Sequence, residues 1–173
     1  MHINFEFKAR HANIAEAEKT LQQQDPVFHG EDHQVDTYFQ VPAGRLKLRE
    51  GTIEQALIFY QRSNVAGAKQ SDVILYQHKG DKALKQILTQ SLGIKTVVDK
   101  KRKIYFIGNV KFHFDTVEDL GTFIEVEAID KDGSIGLETL KEQCRFYQQL
   151  LGIEEKDFMA GSYSDMLLAK KSS

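Results

Sequence analysis

Apolar and polar side chains alternate with a period of two through much of this chain, the pattern of a strand with one buried face. At the start, Ile3, Phe5, Phe7 and Ala9 alternate with Asn4, Glu6, Lys8 and Arg10. Leu46 and Leu48 alternate with Arg45, Lys47 and Arg49. Val110, Phe112 and Phe114 alternate with Lys111, His113 and Asp115. Ile124, Val126 and Ala128 alternate with Glu125 and Glu127. Further strands are predicted near 34–41, 55–62, 71–78 and 96–107, which makes about eight. Pro42-Ala43-Gly44 and Gly108-Asn109 are suited to hairpin turns, and such short connections imply antiparallel neighbours.

Three segments carry the helical period instead. Asn13 caps the first, with Glu16 three residues on and an apolar face of Ile14, Ala17 and Leu21. The second covers about 81–92, with Leu84, Ile87, Leu88 and Leu92 on one side and Gly93 as its stop. The third is predicted from Ser134 to Leu151, striped by Leu137, Leu140, Cys144, Tyr147 and Leu151. Cys144 on that stripe reads as a small core residue. The strands thus have an apolar face for helices to cover and a densely charged opposite face. An open sheet would leave the charged face in solvent, whereas a closed barrel would line its interior with it. A charged interior is unfavourable unless it holds something charged.

Composition narrows the class. The 173 residues fit a single domain, 1–173, with 41% hydrophobic residues and two prolines. No apolar run reaches the roughly 18 residues of a membrane helix. The opening residues lack a basic, then apolar, leader pattern. One cysteine excludes an intrachain disulfide framework and a cysteine-rich zinc site. These features predict a cytoplasmic protein with no membrane partner. The net charge of −2 gives no global drive toward nucleic acid.

The charges are clustered all the same. Arg45, Lys47 and Arg49 share one strand face with no acid interleaved, so they repel one another unless an anion neutralises them. A polyphosphate would do so, since guanidinium groups match phosphate oxygens with forked donors. A solvated strand face satisfies the same spacing. Glu125 and Glu127 also share a face and suit a hard cation such as Mg²⁺ or Mn²⁺. Salt bridges to the basic strands are the alternative. His113 has the chemistry of a general base or a phosphate donor, and equally of a polar strand residue. Glycine-rich phosphate loops and nucleophile elbows are absent from the sequence.

Taken in order, these segments resemble the CYTH family, the triphosphate-tunnel enzymes that include class IV adenylyl cyclases and thiamine triphosphatases. Asn4-Phe5-Glu6-Phe7-Lys8 is similar to its opening Glu-x-Glu-x-Lys strand, and Gln34-Val35-Asp36-Thr37-Tyr38-Phe39 to the next. Gly44-Arg45-Leu46-Lys47-Leu48-Arg49, Tyr60-Gln61-Arg62 and Lys100-Lys101-Arg102 follow, and the segment from His113 to Glu127 resembles the late double-carboxylate strand. The resemblance implies an α+β fold, an eight-stranded antiparallel closed β-barrel with flanking helices. It implies triphosphate ligands at Lys8, Arg45, Lys47, Arg49, Arg62, Lys100 and Arg102, and metal ligands for Mg²⁺ or Mn²⁺ at Glu6, Glu125 and Glu127. Lys8, Arg62 and His113 are the expected catalytic residues.

The implied activity is metal-dependent conversion of ATP to cyclic AMP and pyrophosphate. Hydrolysis of inorganic, thiamine or nucleoside triphosphate is the alternative, and so is non-catalytic binding of polyphosphate or a nucleotide. The expected partner is a triphosphate-containing small molecule, ATP or polyphosphate, with no nucleic acid; a homodimer is left open. Asn4 departs from the family pattern by replacing a charged ligand with an amide. The seven basic groups are expected to repel one another across an empty barrel.

Overall fold

Alternation becomes geometry in the first strand. In β1 (His2–Arg10) the side chains of Asn4, Glu6 and Lys8 face the barrel interior, while Phe7 and Ala9 belong to the core outside it. A computed structural model describes residues 2–173. The following elements are α1 (Ile14–Gln22), β2 (Val27–Phe39), β3 (Arg45–Gly51), β4 (Gln55–Gln61) and β5 (Lys69–Gln77). After them come α2 (Lys82–Leu92), β6 (Ile94–Ile107), β7 (Val110–Val117), β8 (Gly121–Asp130), α3 (Leu137–Leu150) and α4 (Tyr163–Lys171). The eight strands close in the order β1-β5-β4-β3-β2-β6-β7-β8. Every pairing is antiparallel. Closure removes the sheet edges that would otherwise be open to further pairing.

The hairpins turn where the sequence predicts. Gly44 opens β3 at φ +67°, and a Cβ there would lie 2.7 Å from the Phe59 ring, so only glycine fits. Gly108 takes φ +55° in the tight β6–β7 turn.

Helices cover one side of the barrel. Phe7, Phe112, Phe114, Ile124 and Val126 from β1, β7 and β8 pack with Ala17 and Leu21 of α1 and Leu140 and Cys144 of α3. Phe112 is fully buried there, and truncating such a side chain typically costs about 3–5 kcal/mol. Cys144 donates its thiol hydrogen to the Phe5 carbonyl, which agrees with its reading as a core residue. The other side is thinly covered. No residue of α2 is buried, and Ile74 and Tyr76 on β5 are exposed.

Two elements differ from the predicted ones. β2 begins at Val27 and not near 34, because its first residues lack alternation and its register shifts between Phe28 and Gly30. A fourth helix, α4, follows the predicted three. Its Ser162 and Asp165 form a reciprocal capping box, and its Tyr163 and Leu167 are buried among Val98, Val117, Phe123, Tyr38 and Tyr60. Tyr163 therefore reaches in among side chains that line the barrel interior.

Candidate active site

The inward-facing polar rows surround a cavity of about 1040 Å³. Its charges fall into two groups with opposite needs.

The first group centres on Asp36 of β2. Register places Asp36 opposite Arg49 of β3, and Arg49 donates Nε and Nη2 to the two carboxylate oxygens at 2.9 Å each. Lys100 of β6 donates to Asp36 at 2.7 Å, and Lys47 stands 3.3 Å away. Three cations thus share one carboxylate that is 1% exposed. Burial alone would raise the Asp36 pKa, but Arg49, Lys100 and Lys47 outweigh it and hold the acid well below its usual range. Burial pushes Lys100 down to about 7, with Arg49, Arg102 and Lys47 adding to the effect and Asp36 opposing it. This group has an excess of positive charge.

The second group lies on β7, β8 and β1. Register pairs His113 with Glu125, Lys8 with Glu125, and Glu6 with Glu127. Arg102 donates to Glu125 at 3.1 Å, and Lys8 stands 3.9 Å from it. Arg102 is already committed to Asp115, with bonds of 2.7 and 2.6 Å. Among the described residues, no lysine or arginine forms a salt bridge with Glu127; His113 Nδ1 lies 3.9 Å away, and Lys111, opposite it in register, turns its amine to Glu54. Burial and the adjacent Glu125 push Glu127 up to about 7. Glu125 goes the other way: burial opposes its ionisation, but Lys8, His113 and Arg102 hold it well below its usual range. Burial and Arg102 push His113 down to about 3, so it is a neutral imidazole. This group has an excess of negative charge.

The other residues singled out in the sequence take distinct places. Arg62 pairs with Glu6, so that carboxylate already has a cation. Lys8 Nζ sits 4.0 Å from the centre of the Tyr163 ring, and burial pushes its pKa down to about 8. Arg45 turns toward Asn64 and Asp165 of α4, at 2.6 and 2.8 Å, and is not part of the cavity wall. The face formed by Arg45, Lys47 and Arg49 is therefore divided between two environments. The expectation of a self-repelling interior is corrected as well. Asp36, Asp115 and Glu54 come from neighbouring elements and pair with the cations that the spacing left bare.

Glu54, on the turn after β3, had no signal in the sequence. Its carboxylate accepts from Arg49 at 2.9 Å and from Lys111 of β7, bridging separate walls of the cavity. Asp32 fixes that turn by accepting the N–H groups of Ile53 and Glu54 at 2.8 and 3.0 Å and the Thr52 hydroxyl at 2.9 Å. Tyr163 was also missed; its hydroxyl donates to Asp115 at 2.6 Å.

Oxygen donors suited to a divalent cation are present in the second group. One ligand atom from each of His113, Glu125 and Glu127 lies within 4.8 Å of the others. On β1 the buried Asn4 Oδ1 has no hydrogen-bond partner. An uncompensated carboxylate and an orphaned amide oxygen fit a cation better than they fit an anion.

The CYTH domain model matches residues 2–163. The chain belongs to the CYTH family. Its closed eight-stranded barrel is the triphosphate-tunnel fold of that family. Solved structures agree at the level of fold. The PH1012 protein of Pyrococcus horikoshii OT3 is 22% identical with a TM-score of 0.77, over 95% of this chain and 98% of that one. A Vibrio parahaemolyticus protein described as a candidate adenylate cyclase is 20% identical with a TM-score of 0.75, over 96% of this chain and 98% of its own. HpAC1 from Hippeastrum, described as having a dominant triphosphatase activity, is 12% identical with a TM-score of 0.60, over 100% of this chain and 97% of that one. No curated protein matches the sequence. Among the described residues, no helix is long and apolar enough to cross a membrane.

Proposed function

We propose that this CYTH protein is a divalent-metal-dependent enzyme that converts ATP to a cyclic nucleotide and pyrophosphate. The observation that carries the reading is the meeting, in one cavity, of a cation-rich group around Asp36 and a neighbouring carboxylate pair, Glu125 and Glu127, whose second member has no salt bridge to lysine or arginine among the described residues. A triphosphate with its metal ion satisfies both. Arg49, Lys47 and Lys100 would bind phosphate oxygens by exchanging Asp36 contacts for phosphate contacts, with Arg102 at the junction with Glu125. Mg²⁺ or Mn²⁺ held by Glu125 and Glu127 supplies charge neutralisation at the phosphates. Glu6, engaged by Arg62, would serve to place that guanidinium.

Cyclisation forms a bond from the ribose 3′ oxygen to the α-phosphorus and breaks the bond from that phosphorus to the bridging oxygen of pyrophosphate. The 3′ proton needs an acceptor. Lys8 suits it, because burial brings its amine to about 8 and leaves part of it neutral near physiological pH. Glu125, 3.9 Å away, would stabilise the ammonium that forms. His113, held neutral, is left as a ligand or hydrogen-bond donor and not as the base. The cavity lining also includes the apolar side chains of Ile53, Leu75, Phe106 and Ile129, which inorganic triphosphate would leave unused and a nucleoside would contact.

The test is a product assay with ATP, inorganic triphosphate and thiamine triphosphate, with each metal supplied in turn. Cyclic AMP and pyrophosphate from ATP are expected. Orthophosphate from any of the three would reassign the reaction to hydrolysis. Binding without turnover would leave a nucleotide or polyphosphate binder.

A further inference from the structure

We infer that the metal site of this protein is a mixed nitrogen–oxygen site, with His113 joining Glu125 and Glu127 as a direct ligand, and that it selects Mn²⁺ and related transition ions over Mg²⁺. The inference deepens the proposed function by naming the third ligand and the ion class.

Three observations converge. The ligand atoms of the three residues lie within 4.8 Å of one another, so a contraction of about 1 Å would bring them to the roughly 3–4 Å spacing of donors about 2.1 Å from a shared ion. His113 is 1% exposed, and its Nδ1 faces both carboxylates, at 3.5 Å from Glu125 and 3.9 Å from Glu127. The first is at the outer limit of a hydrogen bond and the second is beyond one. Glu127 has no lysine or arginine partner among the described residues. A buried imidazole and two carboxylates are thus gathered without good bonds among themselves, an arrangement that a shared cation would complete.

The third carboxylate expected from the sequence is otherwise engaged, since Glu6 pairs with Arg62. Arg62 holds one oxygen of Glu6, so that carboxylate is drawn toward the guanidinium, whereas the contact of His113 with the carboxylate pair is only the 3.5 Å one. Imidazole nitrogen suits transition ions, while Mg²⁺ prefers oxygen donors and keeps its waters. Register fixes the donor set, because His113 and Glu125 are direct neighbours on β7 and β8 and Glu127 is the next residue on the same face.

The test uses the purified full chain and Mn²⁺ alone. Pulsed electron paramagnetic resonance of the Mn²⁺-loaded protein should show nitrogen modulation from a bound imidazole, and its frequencies should change when histidine is supplied with ¹⁵N, which alters no contact. His113→Asn should abolish the modulation and weaken Mn²⁺ binding by about tenfold or more, with Mg²⁺ binding changed much less. Wild-type protein should accordingly prefer Mn²⁺ to Mg²⁺, and the variant should lose most of that preference. Bound Mn²⁺ without nitrogen modulation, or modulation unchanged in the variant, would overturn the inference and leave the carboxylate site of the proposed function standing. Failure of Mn²⁺ to bind at all would overturn both.

Discussion

Asp36 and Glu127 are both carboxylates on inward strand faces of one barrel, yet their surroundings are opposite. Asp36 is shared by Arg49, Lys47 and Lys100, and its negative charge is over-answered. Glu127 stands beside Glu125 with no lysine or arginine bonded to it among the described residues, and its charge is under-answered. An electrically balanced interior would have shared its cations evenly. The uneven distribution gives the tunnel a cation-rich pole at Asp36 and a pole at Glu127 without a lysine or arginine salt bridge among the described residues, which the proposed metal-bound triphosphate would satisfy together.

The strongest way to break this comparison is the same carboxylate-to-amide change at both poles. Asp36→Asn leaves Lys47 and the buried Lys100 without their anion and Arg49 with Glu54 alone, so a loss of about 3–5 kcal/mol is expected in chemical denaturation. Tripolyphosphate at a hundredfold excess over its dissociation constant should restore about 2.7 kcal/mol. Glu127→Gln should act in the other direction. The Glu127 pKa is raised in the folded protein, so its contribution to stability is fully present below about 4.5 and is lost as pH rises through about 7. The amide removes that loss, so the variant should be more stable than wild type at pH 8 by up to about 3 kcal/mol, with little difference at pH 4.5. Equal destabilisation by both changes would mean that the two poles do not differ.

Proton counting sharpens the anion pole. The Lys100 pKa is lowered to about 7, so above that pH the amine is largely neutral, while a bound triphosphate favours its ammonium form. ATP binding at pH 8 should take up close to one proton, and affinity should fall as pH rises from 7 toward 10. Calorimetry in buffers of different ionisation enthalpy measures the uptake, and Lys100→Met should remove most of it. The smallest effect is expected at Glu54. This carboxylate occupies Arg49 and Lys111 where a phosphate would, so Glu54→Gln should tighten metal-free tripolyphosphate binding by roughly threefold to tenfold.

The fold was largely legible because strand alternation and short turns are local signals. Barrel closure was implied by the family resemblance, whereas the strand order, in which β1 pairs with β5 and β2 with β6, has no local signal in the sequence. The start of β2 was not legible, since exposed Val27 and Phe28 carry no alternation and Gly30 introduces an irregular register. Helix α4 is short and carries little apolar periodicity, so its one local signal is the capping pair of Ser162 and Asp165 three residues later. Spacing identified which cations face inward but not which acids meet them. Asp36 reaches Arg49 only through the β2–β3 register, and Asp115 reaches Arg102 only through the β6–β7 register. Glu54 enters from a turn positioned by Asp32, a contact spanning 21 residues to Ile53. Arg45 has the right spacing for the anion pole, but Asp165 on α4 draws it away.

Direct titration tests the central claim with least intervening argument: tripolyphosphate with chelator present, added to Arg49→Ala and to Glu127→Gln. Two separate poles predict that Arg49→Ala weakens binding by about tenfold or more, whereas Glu127→Gln leaves it unchanged or tightens it. Equal weakening in both variants, or tight binding retained in Arg49→Ala, would contradict the division of the tunnel.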